Sequence, residues 1–178
     1  MPNDKKRQYW DEICQIHLIT KHYLLLAEEM SPDGNVFLQP MKEHRDAYDH
    51  IIRVYASKFH ADKNIDYQEY EKSNMSKALG HEYRAFFDTA DWLTLICREE
   101  IGKLLNGMSK EEIQKRYPAY KELKRMLLDL PEEIATQRES KDIGKKKESI
   151  LEEIDKYVEI LDKLIAHYKG LVIAIEEL

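Results

Sequence analysis

LEEIDKYVEILDKLIAHYKGLVIAI, residues 151 to 175, carries the clearest periodicity in the chain: Leu151, Ile154, Val158, Leu161, Ile165, Tyr168, Val172 and Ile175 recur three and four residues apart. Only a helix gathers residues so spaced onto one side, and the side they form is apolar enough to need a partner. The spacing predicts a long terminal helix whose seam packs inside a helical bundle, with self-association as the other use of the same seam.

The remainder reads the same way. Six Gly and five Pro in 178 residues leave few breaks. Richness in Glu, Lys, Leu and Ile, with few alternating β-branched runs, favours helix nearly throughout. The expectation is an all-α, single-domain bundle of long antiparallel helices spanning 1–178. A first helix from Asp4 to Met30 buries Ile13, Ile16, Tyr23, Ala27 and Met30 and stops at Ser31-Pro32-Asp33-Gly34-Asn35. A second begins at Pro40 and runs to about His60, before Asp62-Lys63-Asn64.

A third, central helix covers Asp66 to Leu105, with Leu79, Tyr83, Phe86, Ala90, Leu93 and Cys97 as its main stripe and Asn106-Gly107 as its stop. Ser109-Lys110-Glu111-Glu112 is a capping box for a short helix that ends before Pro118. Another helix covers Ala119 to Asp129, and Pro131-Glu132-Glu133 reads as a new start leading into a charged stretch through Glu148.

Thirty-four acidic against 28 basic residues give a net charge of -6, which excludes a protein that coats nucleic acid through a broad basic face but leaves room for a local RNA site. Cys14 and Cys97 form no C-x-x-C pair and read as buried free thiols of a reducing compartment. The apolar run Leu24 to Ala27 is too short to span a bilayer. Together these readings predict a cytoplasmic protein with no membrane partner. There is no Gly-rich phosphate loop, no G-x-S-x-G, and no metal or cofactor is expected.

Polar chemistry concentrates in residues 41 to 53. With Tyr48, Ile52, Tyr55 and Phe59 at the centre of the buried face, Asp46 and His50 fall on the opposite side and Arg45 on the flank. His44 then lies near the apolar stripe as a core or boundary histidine. Arg45-Asp46-Ala47-Tyr48-Asp49-His50 fits the pattern R-x4-6-H with a polar residue after the arginine. On a helical bundle it resembles the HEPN superfamily of ribonucleases and nucleotide-binding domains, a likeness that covers these six residues and the fold class.

The resemblance implies a homodimer or pseudo-dimer in which two motifs meet, RNA cleaved without a metal, and Arg45 and His50 as the functional pair, with Asp46 in the polar position. A guanidinium suits this chemistry because it neutralises charge growing on the scissile phosphate, and an imidazole because it moves protons near neutral pH. Asp46 is placed to orient His50 one turn away. Arg53 and His60 match the same spacing. The motif sits in the second helix, whereas family members commonly carry it late in the domain.

A second cluster, His81, Arg84 and Asp88, lies along one face of the central helix. It approaches the first if the second and third helices run antiparallel, and Arg84, with His81 and Arg53, is then a substrate ligand. Two other functions compete. One is a non-catalytic interaction protein that meets a partner or inhibitor through the 151–175 seam. The other is a metal-dependent bundle enzyme using His50, His81 and nearby carboxylates, although no histidine here has a Glu three residues before it.

Overall fold

The computed structural model describes residues 3–31, 34–59, 66–142 and 150–176. Within them the backbone forms six helices and no strand: α1 Asn3–Met30, α2 Leu38–Ala56, α3 Tyr67–Leu105, α4 Lys110–Arg116, α5 Tyr120–Asp142 and α6 Ile150–Glu176. The protein is an all-α helical bundle, and no described helix is long and apolar enough to cross a membrane. His60, the Asp62-Lys63-Asn64 segment and most of the charged stretch after Asp142 lie outside the described residues.

The helix ends follow local chemistry. The Asp66 carboxylate accepts from the Gln68 and Glu69 amides at 3.0 and 3.3 Å, satisfying N–H groups that the first turn of α3 leaves without partners. Ser109 does the same for Glu112 at 3.2 Å. Gly107, at φ +80, supplies the left-handed residue that lets the chain turn after α3.

The chain falls into two compact units, residues 1–93 and 94–178, with the boundary inside α3. In the first, α1 buries Ile13, Ile16, Tyr23, Leu24 and Ala27. Lys6 pairs with Glu71 and His17 with Glu82, both 65 residues apart, so α1 and α3 run parallel. His81 pairs with Glu43 and Asn74 with His50, a falling register that makes α2 antiparallel to α3. α1, α2 and α3 therefore run up, down and up.

The orientation of α2 differs from the sequence reading. Its buried residues are Pro40, Glu43, Ala47 and Val54. Tyr48, Ile52, Tyr55 and Phe59, expected inside, stand in solvent with Leu38 and Met41, each between 42 and 74% exposed. Periodicity alone favours the larger apolar side. The polar side is buried instead because α3 offers partners for its charges, and a paired carboxylate is far less costly to bury than a lone one.

In the second unit α5 continues through Pro131 as one helix, whereas the sequence suggested a new start there. Proline removes one helical hydrogen bond, but Leu123 and Leu130, fully buried in the turns before it, anchor the helix there. The α6 seam is used within the fold: Ile154, Leu161 and Ile165 are buried, as are Tyr157, Leu164 and Leu171. Gly170 is required where Tyr117 crosses α6, since a Cβ there would lie 2.9 Å from the Tyr117 ring.

Cys14 is exposed rather than buried, and Cys97 is fully buried. Burial pushes the Cys97 thiol from its ordinary value of 9.0 up to about 12. Above the ordinary value the unfolded chain has released a proton that the folded chain still holds, so stability declines by about 1.4 kcal/mol per pH unit in that window. Urea midpoints measured from about pH 8 to about pH 10.5 should therefore fall faster for the wild type than for Cys97→Ala. Parallel slopes would contradict it.

Candidate functional site

Antiparallel α2 and α3 present the same two residue types in opposite order, Glu43-His44 on one and His81-Glu82 on the other. The pairs engage reciprocally: His81 Nδ1 lies 2.8 Å from Glu43 Oε2, and His44 Nδ1 lies 3.0 Å from Glu82 Oε2. Both carboxylates are buried, Glu43 at 7% and Glu82 at 3% exposure. The crossing of α2 and α3 is thus a polar layer, with a carboxylate of each helix facing a histidine of the other.

Around Glu43 the layer reaches the surface. Arg84 Nε donates to Glu43 Oε2 at 2.9 Å, and its Nη2 lies 2.6 Å from His81 Nδ1 because both side chains converge on one acceptor. Burial pushes the Glu43 carboxyl up, but the hydrogen bonds and charges of His81 and Arg84 outweigh it and hold the group below its ordinary value. Arg84 itself is half-exposed.

His50 stacks on His81 with ring centroids 5.4 Å apart and an interplanar angle of 24°. Its Nδ1 lies 2.9 Å from Asn74 Oδ1. The Asn74 amide nitrogen donates to the Tyr70 carbonyl at 2.9 Å, so the amide oxygen must face His50 and the imidazole Nδ1 must carry the hydrogen. His50 is thus left with Nε2 as its proton acceptor. On His81, Nδ1 faces both Glu43, which only accepts, and Arg84 Nη2, which only donates.

The sequence-predicted residues separate into two groups. His50, His81 and Arg84 come together at one face of the α2–α3 crossing. Arg45 instead turns to its neighbour, donating to Asp46 Oδ1 from Nε at 3.0 Å and Nη2 at 2.7 Å. Those bonds hold the Asp46 carboxyl below its ordinary value, with a further contribution from His81, so Asp46 lies within the field of the cluster. The partner that orients His50 is Asn74, in place of the expected Asp46. Arg53 pairs with Asp49 at 2.7 Å on an exposed part of α2.

Glu43 and Asn74 are the members of this cluster that the sequence reading did not single out. For Glu43 the mirrored order of Glu-His and His-Glu on antiparallel helices was the available signal, hidden by turning the wrong side of α2 inward. His17, His44 and Glu82 also lie within ligand range of a single ion. In the second unit an open groove between α5 and α6 is lined by Glu122, Arg125, Asp129, Lys156, Lys163 and His167, its charges interspersed in sign. Tyr117 borders it, with its hydroxyl 2.9 Å from His167 Nδ1.

Comparison of the chain with family models, with curated proteins and with solved structures finds no match in any of the three.

Proposed function

We propose that the chain is a metal-independent endoribonuclease of HEPN-like kind, in which His50 and His81 carry protons and Arg84 holds the scissile phosphate. The observation that carries this reading is the stack of two imidazoles, His50 held at Nδ1 by Asn74 and His81 by Glu43 and Arg84, beside the half-exposed Arg84 guanidinium.

RNA cleavage without a metal needs those parts. One imidazole Nε2 takes the proton of the 2′-hydroxyl as its oxygen attacks phosphorus, and the other gives a proton to the departing 5′-oxygen. The products are a 2′,3′-cyclic phosphate and a 5′-hydroxyl, with no net change in protons. A guanidinium opposite the phosphate stabilises charge developing on its free oxygens. Arg45, on the next turn of α2, supplies a second cation for the flanking backbone. The test is incubation of labelled RNA with purified protein in EDTA, comparing wild type with Arg84→Ala. Cleavage by the wild type that Arg84→Ala loses supports the reading, and equal activity overturns it.

The resemblance also implies a homodimer, and the exposed side of α2 has the pattern for one. Leu38, Met41, Tyr48, Ile52 and Tyr55, with Arg45 among them, recur three and four apart, the spacing of a helix–helix seam, and Phe59 follows just beyond the helix. A second copy placed by a two-fold axis presents the same stripe to itself and brings both Arg45 side chains to the junction. Ile52→Asp should convert a dimer to a folded monomer in sedimentation equilibrium, because Ile52 is outside the core. A wild type that is monomeric at the same concentration would sink the dimer.

A further inference from the structure

We infer that His17, His44 and Glu82 form a binding site for one first-row divalent transition-metal ion, tying α1, α2 and α3 together. The inference stands on geometry alone and does not depend on the ribonuclease reading.

Each ligand comes from a different helix. Glu82 Oε2, on α3, lies 3.3 Å from His17 Nδ1 on α1 and 3.0 Å from His44 Nδ1 on α2. All three ligating atoms lie within 4.8 Å of one another, and the two imidazoles meet edge to face with centroids 4.8 Å apart. Nitrogen and carboxylate ligands bind such ions at about 2.0–2.2 Å, which sets neighbouring ligand atoms roughly 3.0–3.5 Å apart. The two distances to Glu82 fall in that interval.

The second observation concerns His44. Its Nδ1 is buried and makes no hydrogen bond, although the Glu82 oxygen is only 3.0 Å away. Two polar atoms in such proximity, but not aligned as donor and acceptor, stand as adjacent ligands do around a shared cation. Elsewhere in the same polar layer His81 and Arg84 do bond to Glu43, so the crossing itself does not prevent alignment. A buried polar atom without a hydrogen bond is costly, and coordination would satisfy it.

The donor set selects the ion. Two neutral imidazoles and one carboxylate suit Zn²⁺, Fe²⁺ or Co²⁺, whereas Mg²⁺ and Ca²⁺ favour oxygen ligands throughout. One negative charge against a divalent ion leaves a net positive centre, and the exposed His17 lets water complete the coordination shell. Three protein ligands with an open position describe the site.

The test uses the full chain, free of affinity tag, stripped with EDTA and passed into metal-free buffer. Co²⁺ is titrated while its visible absorption and the melting temperature are followed. The expected result is saturation at one equivalent with a rise in melting temperature, and displacement of Co²⁺ by Zn²⁺ but not by Mg²⁺. His17→Ala, on the exposed side of α1, should fold normally and bind at least about tenfold more weakly, and Glu82→Gln should lose the coloured complex. His50→Ala should bind as the wild type does. No saturable binding, binding unchanged in both ligand variants, or equal displacement by Mg²⁺ would overturn the assignment.

Discussion

His50→Ala is expected to lower metal-free RNA cleavage by about 10²–10⁴-fold, the usual contribution of one proton carrier, while far-UV helicity stays as in the wild type. The fold should tolerate the change because His50 is half-buried and the substitution gives up one contact with Asn74 and the stack on His81. Losing one such hydrogen bond costs about 1 kcal/mol, a shift of a few degrees in melting temperature. His50→Gln separates chemistry from packing, since the amide can still donate to Asn74 but cannot relay a proton at Nε2. It should be as inactive as the alanine variant. Activity in both variants would remove His50 from the reaction, and collapse of helicity in both would make it structural.

Glu43→Ala should be the most damaging single change in the polar layer, costing about 2–4 kcal/mol of stability. The carboxylate is the shared acceptor of His81 and Arg84, so its removal leaves two facing donors with no acceptor between them. Arg84 is exposed enough to recover water, which keeps the loss below that of a fully buried ion pair. Glu43→Gln keeps an acceptor oxygen and should cost less than half as much. Cleavage should fall with both, because His81 and Arg84 lose their fixed positions, and kcat should suffer more than KM if they act in the transition state. Chemical denaturation of the three proteins decides the order, and equal stability of Glu43→Ala and wild type would contradict it.

The helices were legible because their signals are local. The cap at Ser109, the turn at Gly107 and the stripes of α1, α3 and α6 each depend on residues within one or two turns. What was not legible depends on which side of α2 meets α3. A stripe of Leu38, Met41, Tyr48, Ile52, Tyr55 and Phe59 outweighs the opposite side by any hydrophobic measure. Only the presence of His81 and Arg84 on the facing helix makes burial of Glu43 affordable, and that is non-local information. Pro131 shows the same limit, since a helix-breaking residue stands inside one continuous α5, directly after Leu130, which is fully buried.

The site follows the same division. His50, His81 and Arg84 were each identifiable by residue type and helical spacing, and their meeting required antiparallel helices. Asn74 was out of reach, because its role arises from an amide whose nitrogen is occupied by the Tyr70 carbonyl and whose oxygen is thereby turned to His50. Asp46 seemed the natural partner of His50 at i, i+4, but the adjacent Arg45 claims its carboxylate first.

The most direct test of the central claim is the chemistry of the RNA ends produced by wild-type protein in EDTA. The predicted result is cleavage to a 2′,3′-cyclic phosphate and a 5′-hydroxyl, abolished when the residue at the cut carries no 2′-hydroxyl. An RNA left intact, or cut to 5′-phosphate ends, would contradict a reaction run by His50 and His81.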